Sequence, residues 1–389
     1  MYKGLPFAKK LIDKGHSLEV LTGFPNYPYG KIYKGYKLKP FLKETLDGVE
    51  INRTLLYPSH DKSAIKRIIN YLSFSVSSFI FALFTKKKFD VVYVYNLITL
   101  MPTASLIRSK SKAKIVIDVQ DLWPQSVKSS GMMKSSFLLK VLSKLSDKAY
   151  SKADHLTVLS NGFKEKLINR NIKQDKISVI MNWTDTSYDI KKMNPAKISP
   201  IFENNNFFKV VFAGTMGIFQ GIDTLIDSSK ILKNKNIRFY FVGSGVEVER
   251  LKRRVVDEII ENVFFVNYIP RNKIANVFDW SDALIVHLIS NPLFKITIPS
   301  KTQSYMSSGK PILMGVDGDS SELINNANCG LCFEPGNSKD LSKKILKLCS
   351  LDRDELKKIG LNGKKYYDKI LSFDKGVEQF DILFKELNK

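Results

Sequence analysis

The chain has 389 residues, 44 % of them hydrophobic and 11 % aromatic, and carries a formal charge of +23. Those fractions exclude a disordered, collagen-like or coiled-coil chain, and at roughly 100–200 residues per domain the length implies two or three domains, each with its own core. Three cysteines, Cys329, Cys332 and Cys349, exclude a disulfide framework and fit a reducing compartment. Cys329 and Cys332 form a lone C-x-x-C with no second pair, and read as small core residues. His16, His60, His155 and His287 show no metal-ligand spacing. Met1 opens directly into a polar amphipathic stretch, so no signal peptide is expected. The excess of cations points to an acidic partner: nucleic acid, an anionic membrane surface or a phosphorylated substrate. Drift toward a Lys- and Asn-rich composition contributes to the same excess.

Short apolar runs rich in Val, Ile and Phe alternate with helical patterns. In chain order they are Leu18–Leu21, Val91–Val94, Ile115–Ile117, Leu156–Leu159 and Ile177–Ile180, then Val210–Ala213, Phe239–Val242, Val263–Val266, Ala283–Val286 and Ile312–Met314. Near-continuous apolar strands between helices predict parallel sheets covered on both faces, an α/β doubly wound fold occurring twice. Ile68–Phe84 is uncharged and flanked by Lys66-Arg67 and Lys86–Lys88. It leads straight into a strand, as a crossover helix does. A membrane-surface helix is the other reading its cationic flanks suit, and a span stands at the short limit of length. Asp185–Asn206, with Pro195, Pro200 and three successive Asn, has no apolar period and reads as the region between domains. The expected division is 1–190, a linker at 191–206, a second domain at 207–365 and a C-terminal crossover helix at 366–389.

Three segments could carry chemistry. After the strand ending at Ala213 comes a turn with Gly214, Gly217 and Gly221, then a helix. Glycines let a backbone approach a ligand, and a helix N-terminus offers free N–H groups to an anion. A plain strand-to-helix turn is the bland alternative. In Ile298–Pro311, Ser300 suits an N-cap and Gly309 a helix stop. Lys301 then falls in the first turn, where a cation opposes the helix dipole unless an anion is near; a solvated surface Lys is the alternative. Asp118–Pro124 (DVQDLWP) sets Asp118 and Asp121 at the carboxyl end of a strand, the usual ligand crevice, with helix capping by Asp121 as the alternative. Asp317/Asp319 and Asp352/Asp354 match the loose D-x-D pattern, which is common by chance, and no metal site is assigned.

Thr22–Pro40, Asp118–Gly131, Leu156–Thr184, Gly214–Leu225 and Ile298–Gly318 together resemble glycosyltransferase family 4, in its WbuB-like branch. The resemblance implies two Rossmann-like domains facing each other across a cleft (GT-B), with the C-terminal helices packing back toward the N-terminal domain. It implies a retaining transferase of the hexosyl type, moving sugar from a UDP-sugar to a polyprenyl-diphosphate-linked saccharide in O-antigen or capsule assembly. The enzyme would be cytoplasmic and peripheral on the inner face of the cytoplasmic membrane, with no metal or other cofactor beyond the nucleotide-sugar co-substrate. Carried over residue by residue, Gly214, Thr215, Gly217, Gln220 and Gly221 should face the diphosphate. Tyr268 and Ile269 should hold the base. Arg271, Ser300, Lys301, Ser304, Asp319 and Glu322 complete the donor side, and Asp118 and Asp121 stand where the family places its catalytic His.

The chain also departs from the pattern. Thr215 and Gln220 replace the loop cations, and Ile296 and Ser304 replace a pair of Glu, so Lys301 is expected to supply the missing charge, with Lys295 and Arg271 as other candidates. Met1 lies inside what resembles the first helix, so a first strand and its Gly-rich loop are missing from the pattern, through a misassigned start or a truncation. A catalytically impaired subunit that assists a partner enzyme is the alternative reading. Nucleic-acid binding finds no zinc knuckle, RNP-type motif or basic recognition helix to support it.

Overall fold

The computed structural model describes residues 3–27, 29–59, 63–129, 135–184, 192–203 and 206–389. His60, Gly131 and much of Asp185–Asn206 lie outside the described residues. The chain divides into two compact units: Met1–Ile180 with Val377–Lys389, and Met181–Gly376.

In the first unit, β1 (Glu19–Gly23), β2 (Phe41–Leu46) and β3 (Val49–Thr54) form a sheet of order β1-β3-β2, parallel on one side of β3 and antiparallel on the other. The β2–β3 hairpin is absent from the apolar-run reading. Its signal is different: Asp47 (φ 48°) and Gly48 (φ 81°) make a two-residue turn in which both central residues need positive φ, and β2 alternates exposed and half-buried positions. A second sheet is fully parallel, in the order β4 (Val91–Tyr95), β5 (Lys114–Val119), β6 (His155–Val158), β7 (Ile177–Val179). The helix expected at 68–84 runs Ala64–Phe84, with Ser63 accepting from the Lys66 N–H as its N-cap. Its Ile65–Phe84 stretch is long and apolar enough to cross a membrane, and little of it is buried.

The second unit has one parallel sheet of order β10-β9-β8-β11-β12-β13. The strands are β8 (Phe208–Ala213), β9 (Ile237–Val242), β10 (Val263–Val266), β11 (Ala283–His287), β12 (Ile312–Gly315) and β13 (Gly330–Cys332). All six residues of the central β8 are buried, because helices cover both faces. Leu225, Ile226, Leu341 and Ile345 pack one face; Val277, Tyr305, Met306 and Ile324 pack the other. Part of the stretch read as a linker belongs to this core. Pro195–Lys197 and Pro200–Phe202 form short turns, and Phe202 is fully buried with its ring 5.1 Å from Trp280 and 6.1 Å from Tyr240. Irregular spacing of Ile198, Ile201 and Phe202 hid that packing from any periodic pattern.

The last helix, Phe373–Leu387, enters the first unit at Val377, matching the expected return of the C-terminus. There Phe380 meets the edges of Phe7 (5.3 Å) and Tyr93 (5.6 Å), and Asp381 pairs with His16 at 2.7 Å.

Candidate functional site

In the second unit the strand order reverses at β8, which lies between β9 and β11. In open α/β sheets, ligands settle at the carboxyl ends of the strands flanking such a reversal. The loop leaving β8 is held there by backbone. Gly214 N–H donates to Val242 O (2.9 Å) and Met216 N–H to Ser244 O (2.8 Å). A Cβ on Gly243 would stand 2.0 Å from Gly214 O, so the two loops cross at glycine distance. Gly214 (φ 139°) and Thr215 are exposed at the top of the strand, and Gly221 (φ 53°) opens the helix Ile222–Ile231. Gln220 is less available than its position suggests. Its Oε1 accepts from Gly217 N–H at 3.0 Å, which closes the turn between the two glycines.

Beneath this loop sits Lys301. The sequence left it between a surface residue and a ligand contact, and the structure buries its ammonium. Nζ lies 3.5 Å from the centre of the Phe212 ring and 3.3 Å from where a Cβ on Gly214 would be, and has no hydrogen-bond partner among the described residues. A buried, unpaired cation is costly, and burial pulls its pKa from 10.5 down to about 7. The ring face offsets only part of that cost. The helix carrying it, Lys301–Ser308, is anchored by Tyr305, whose hydroxyl donates to Ala213 O (3.1 Å) and accepts from Ala213 N–H (2.8 Å). Tyr305 ties the end of β8 to that helix, and only its proximity in space could have revealed this. Ser300 holds the N-cap position with helical dihedrals and makes no side-chain cap, so the expected capping role is corrected; the residue is exposed beside Lys301.

The other candidates are distributed as follows. Ser304 Oγ is 2.8 Å from Thr184 Oγ1. Tyr268 is exposed and Ile269 is buried, beyond the end of β10, and Arg271 begins the helix Arg271–Trp280. Asp319 and Glu322 occupy the first turn of the helix Asp319–Ala327, with Glu322 exposed. Lys295 is exposed and pairs with Asp317 at 3.6 Å.

In the first unit the two carboxylates part company. Asp118 is fully buried: Oδ2 accepts from Lys3 Nζ (2.6 Å), Tyr93 OH (2.5 Å) and Gln120 Nε2 (2.9 Å), and Oδ1 from Thr157 Oγ1 (2.9 Å). With both oxygens engaged and no solvent access, Asp118 anchors the sheet and is corrected as a catalytic candidate. Asp121 is exposed beyond the end of β5, oriented by Asn96, whose Nδ2 donates to Oδ2 at 2.8 Å.

Two nucleotide-binding-type units of this form define a class of two-domain transferase folds, and the family matches make it specific. The family described as glycosyl transferases group 1 matches residues 194–366, and the glycosyl transferase 4-like domain matches residues 5–183. Between them they take in most of the chain, which belongs to glycosyltransferase family 4. It is 25 % identical over 264 residues to the "Probable glycosyltransferase WbjE" of Pseudomonas aeruginosa, covering 66 % of this chain and 65 % of that one. It is 21 % identical to WcaI of Escherichia coli strain K12, named for colanic acid biosynthesis, over 66 % of this chain and 64 % of that one. The matched region thus spans about two thirds of each relative's length. The fold is that of Anabaena HepE in complex with UDP (TM-score 0.66, 16 % identity, 82 % and 84 % of the two chains). It is shared with the E. coli structure of "Trehalose-6-phosphate" bound with UDP-2-fluoro glucose (TM-score 0.71, 10 % identity, 96 % and 99 %).

Proposed function

We propose that this chain is a glycosyltransferase that takes sugar from a nucleotide-sugar donor, of the UDP class, and passes it to a lipid-diphosphate-linked saccharide in bacterial surface polysaccharide assembly. The observation that carries the donor half is the unpaired Lys301 ammonium under the Gly214 turn. A leaving nucleoside diphosphate brings about three negative charges, and a pre-placed cation and free N–H groups stabilise charge that grows in the transition state. In that role Lys301 receives the charge released as the bond from the sugar's anomeric carbon to the diphosphate oxygen breaks. The acceptor hydroxyl's oxygen bonds to that carbon as the other bond breaks, and its proton passes to the departing diphosphate oxygen. Lys301 also makes a divalent cation dispensable, so transfer should persist in excess chelator. Retention of anomeric configuration is part of the same family reading. Asp121, exposed at a strand end, is the carboxylate offered to the acceptor.

A lipid-linked acceptor calls for a membrane surface, and two helices of the first unit suit one. Ile65, Ile69, Leu72, Val76, Ile80 and Leu83 form an exposed stripe at helical spacing on Ala64–Phe84, beside Lys66 and Lys86–Lys88. Phe137, Val141 and Leu145 repeat the pattern on Ser136–Lys152, with Lys140 and Lys144 alongside. Attachment at the inner face of the cytoplasmic membrane follows from this reading.

The test is Lys301→Ala, assayed for UDP affinity and for transfer with candidate UDP-sugars. A loss of roughly 2–4 kcal/mol supports the role, and values within about twofold of wild type reject it. Ser304, tied to Thr184 where a donor contact was expected, favours a second reading, a catalytically impaired subunit that assists a partner glycosyltransferase. UDP binding with no transfer to any acceptor fraction would select it.

A further inference from the structure

His287 closes β11, on the other side of the strand-order reversal from the Gly214 turn, and no motif in the sequence marks it. The residue is 1 % exposed. Gly336 N–H donates to Nε2 at 3.0 Å, so Nε2 carries no proton. The proton therefore sits on Nδ1, which donates to Gln220 O at 2.8 Å. Phe333 stacks on the ring, 5.7 Å between centres and 6° from parallel. Two glycines make room for it. A Cβ on Gly221 would stand 2.9 Å from Cε1, and one on Gly315 2.6 Å from Cδ2.

We propose that His287, as a neutral imidazole, is a positioning residue for the Gly217–Gly221 turn, fixing it to the end of β11 and to the Gly336 turn so that the N-terminus of Ile222–Ile231 is set for its ligand. The ligand chemistry rests on the donor-loop reading above; the lock itself rests on the two hydrogen bonds and the glycine clearances. The lock depends on protonation state. An imidazolium would aim an N–H at the Gly336 N–H and place a charge near Lys301. Burial, together with the Lys301 charge, holds the His287 pKa below its ordinary value. The groups packed on the ring from the two turns and from β12 are Gln220, Gly221, Gly336 and Gly315, which present peptide groups or bare Cα atoms. Phe333 and Ile289 are apolar, and Lys301 is the charged side chain whose field reaches the ring.

Two full-length variants separate the lock from simple packing. His287→Phe keeps a stacked ring and loses both hydrogen bonds; His287→Gln retains a donor and an acceptor. UDP affinity is measured by titration calorimetry from pH 5 to pH 8, with amide hydrogen exchange of the unliganded proteins followed at residues 217–221 and 336. The proposal expects His287→Phe to bind UDP about tenfold or more weakly at pH 7.5, a hydrogen-bond-sized effect. His287→Gln should lie within about threefold of wild type. Between pH 7 and pH 5 the wild-type protein should lose affinity relative to His287→Gln, a ratio that cancels the titration of UDP itself. Exchange at 217–221 should be fast in His287→Phe and near wild type in His287→Gln. Equal affinity in wild type and His287→Phe, or equal weakness of both variants, overturns the proposal. Should the wild-type protein not bind UDP, the donor reading fails by itself. The exchange comparison then still decides the lock, and identical exchange in the three proteins rejects it.

Discussion

Two buried lysine ammonium groups, Lys3 in one unit and Lys301 in the other, are treated in opposite ways. In the first, Lys3 lies within 2.6 Å of Asp118, which also accepts from Tyr93, Gln120 and Thr157. In the second, Lys301 has an aromatic ring and an open glycine turn, and nothing among the described residues accepts its protons. Burial lowers the pKa of both, but at Lys3 the Asp118 charge opposes that drop. A buried cation with its counter-charge built in holds a fold together. One without it lies at the topological reversal where ligands bind in such sheets, and the proposed function supplies its partner from outside.

The largest effect should come from breaking the satisfied pair. Asp118→Asn leaves the Lys3 ammonium buried and uncompensated, a loss of about 3–5 kcal/mol read by urea unfolding. A loss below about 1 kcal/mol would mean that the pair is not held as described. Next comes the unsatisfied lysine. Lys301→Met keeps the stem and removes the charge, so UDP affinity should fall as for Lys301→Ala while the melting temperature rises. The sign has a pH dependence. The folded pKa of about 7 lies below the ordinary 10.5, so between those values the unfolded chain binds more protons and stability from this group increases with pH. The gain in melting temperature of Lys301→Met over wild type should therefore be greatest near pH 6 and shrink toward pH 9. A gain that does not change with pH would contradict the buried charge.

The smallest of these effects concerns the surface. Ile69→Ser with Val76→Ser should reduce sedimentation with anionic vesicles severalfold, and salt should weaken wild-type binding because the cationic flank is screened. Equal binding to neutral vesicles at all salt concentrations would remove the cationic flank from the account.

The sequence made the parallel sheets legible because a strand covered on both faces leaves a run of apolar residues, as Val210–Ala213 does. It hid the Asp47-Gly48 hairpin, whose strands alternate, and the buried Phe202, which follows no period. At the site it pointed to the Gly214–Gly221 turn and to Lys301, through glycines and a cation placed against a helix dipole. It could not tell Asp118 from Asp121. Three residues apart at one strand end, the two differ only in which is walled in by Lys3, Tyr93 and Thr157, side chains brought there by the fold. Tyr305 and His287 were silent for the same reason, since their roles are contacts with backbone groups distant in sequence.

The central claim is that Lys301 waits for a diphosphate. It is tested most directly by counting protons taken up when UDP binds, using calorimetry at pH 8 in buffers of different ionisation enthalpy. With a free-state pKa of about 7, Lys301 is mostly neutral at that pH and becomes charged against the ligand. Wild-type protein should take up about one proton per UDP, and any residual binding by Lys301→Met should take up none. UDP binding by the wild-type protein with no proton uptake, or the same uptake in Lys301→Met, would contradict the account.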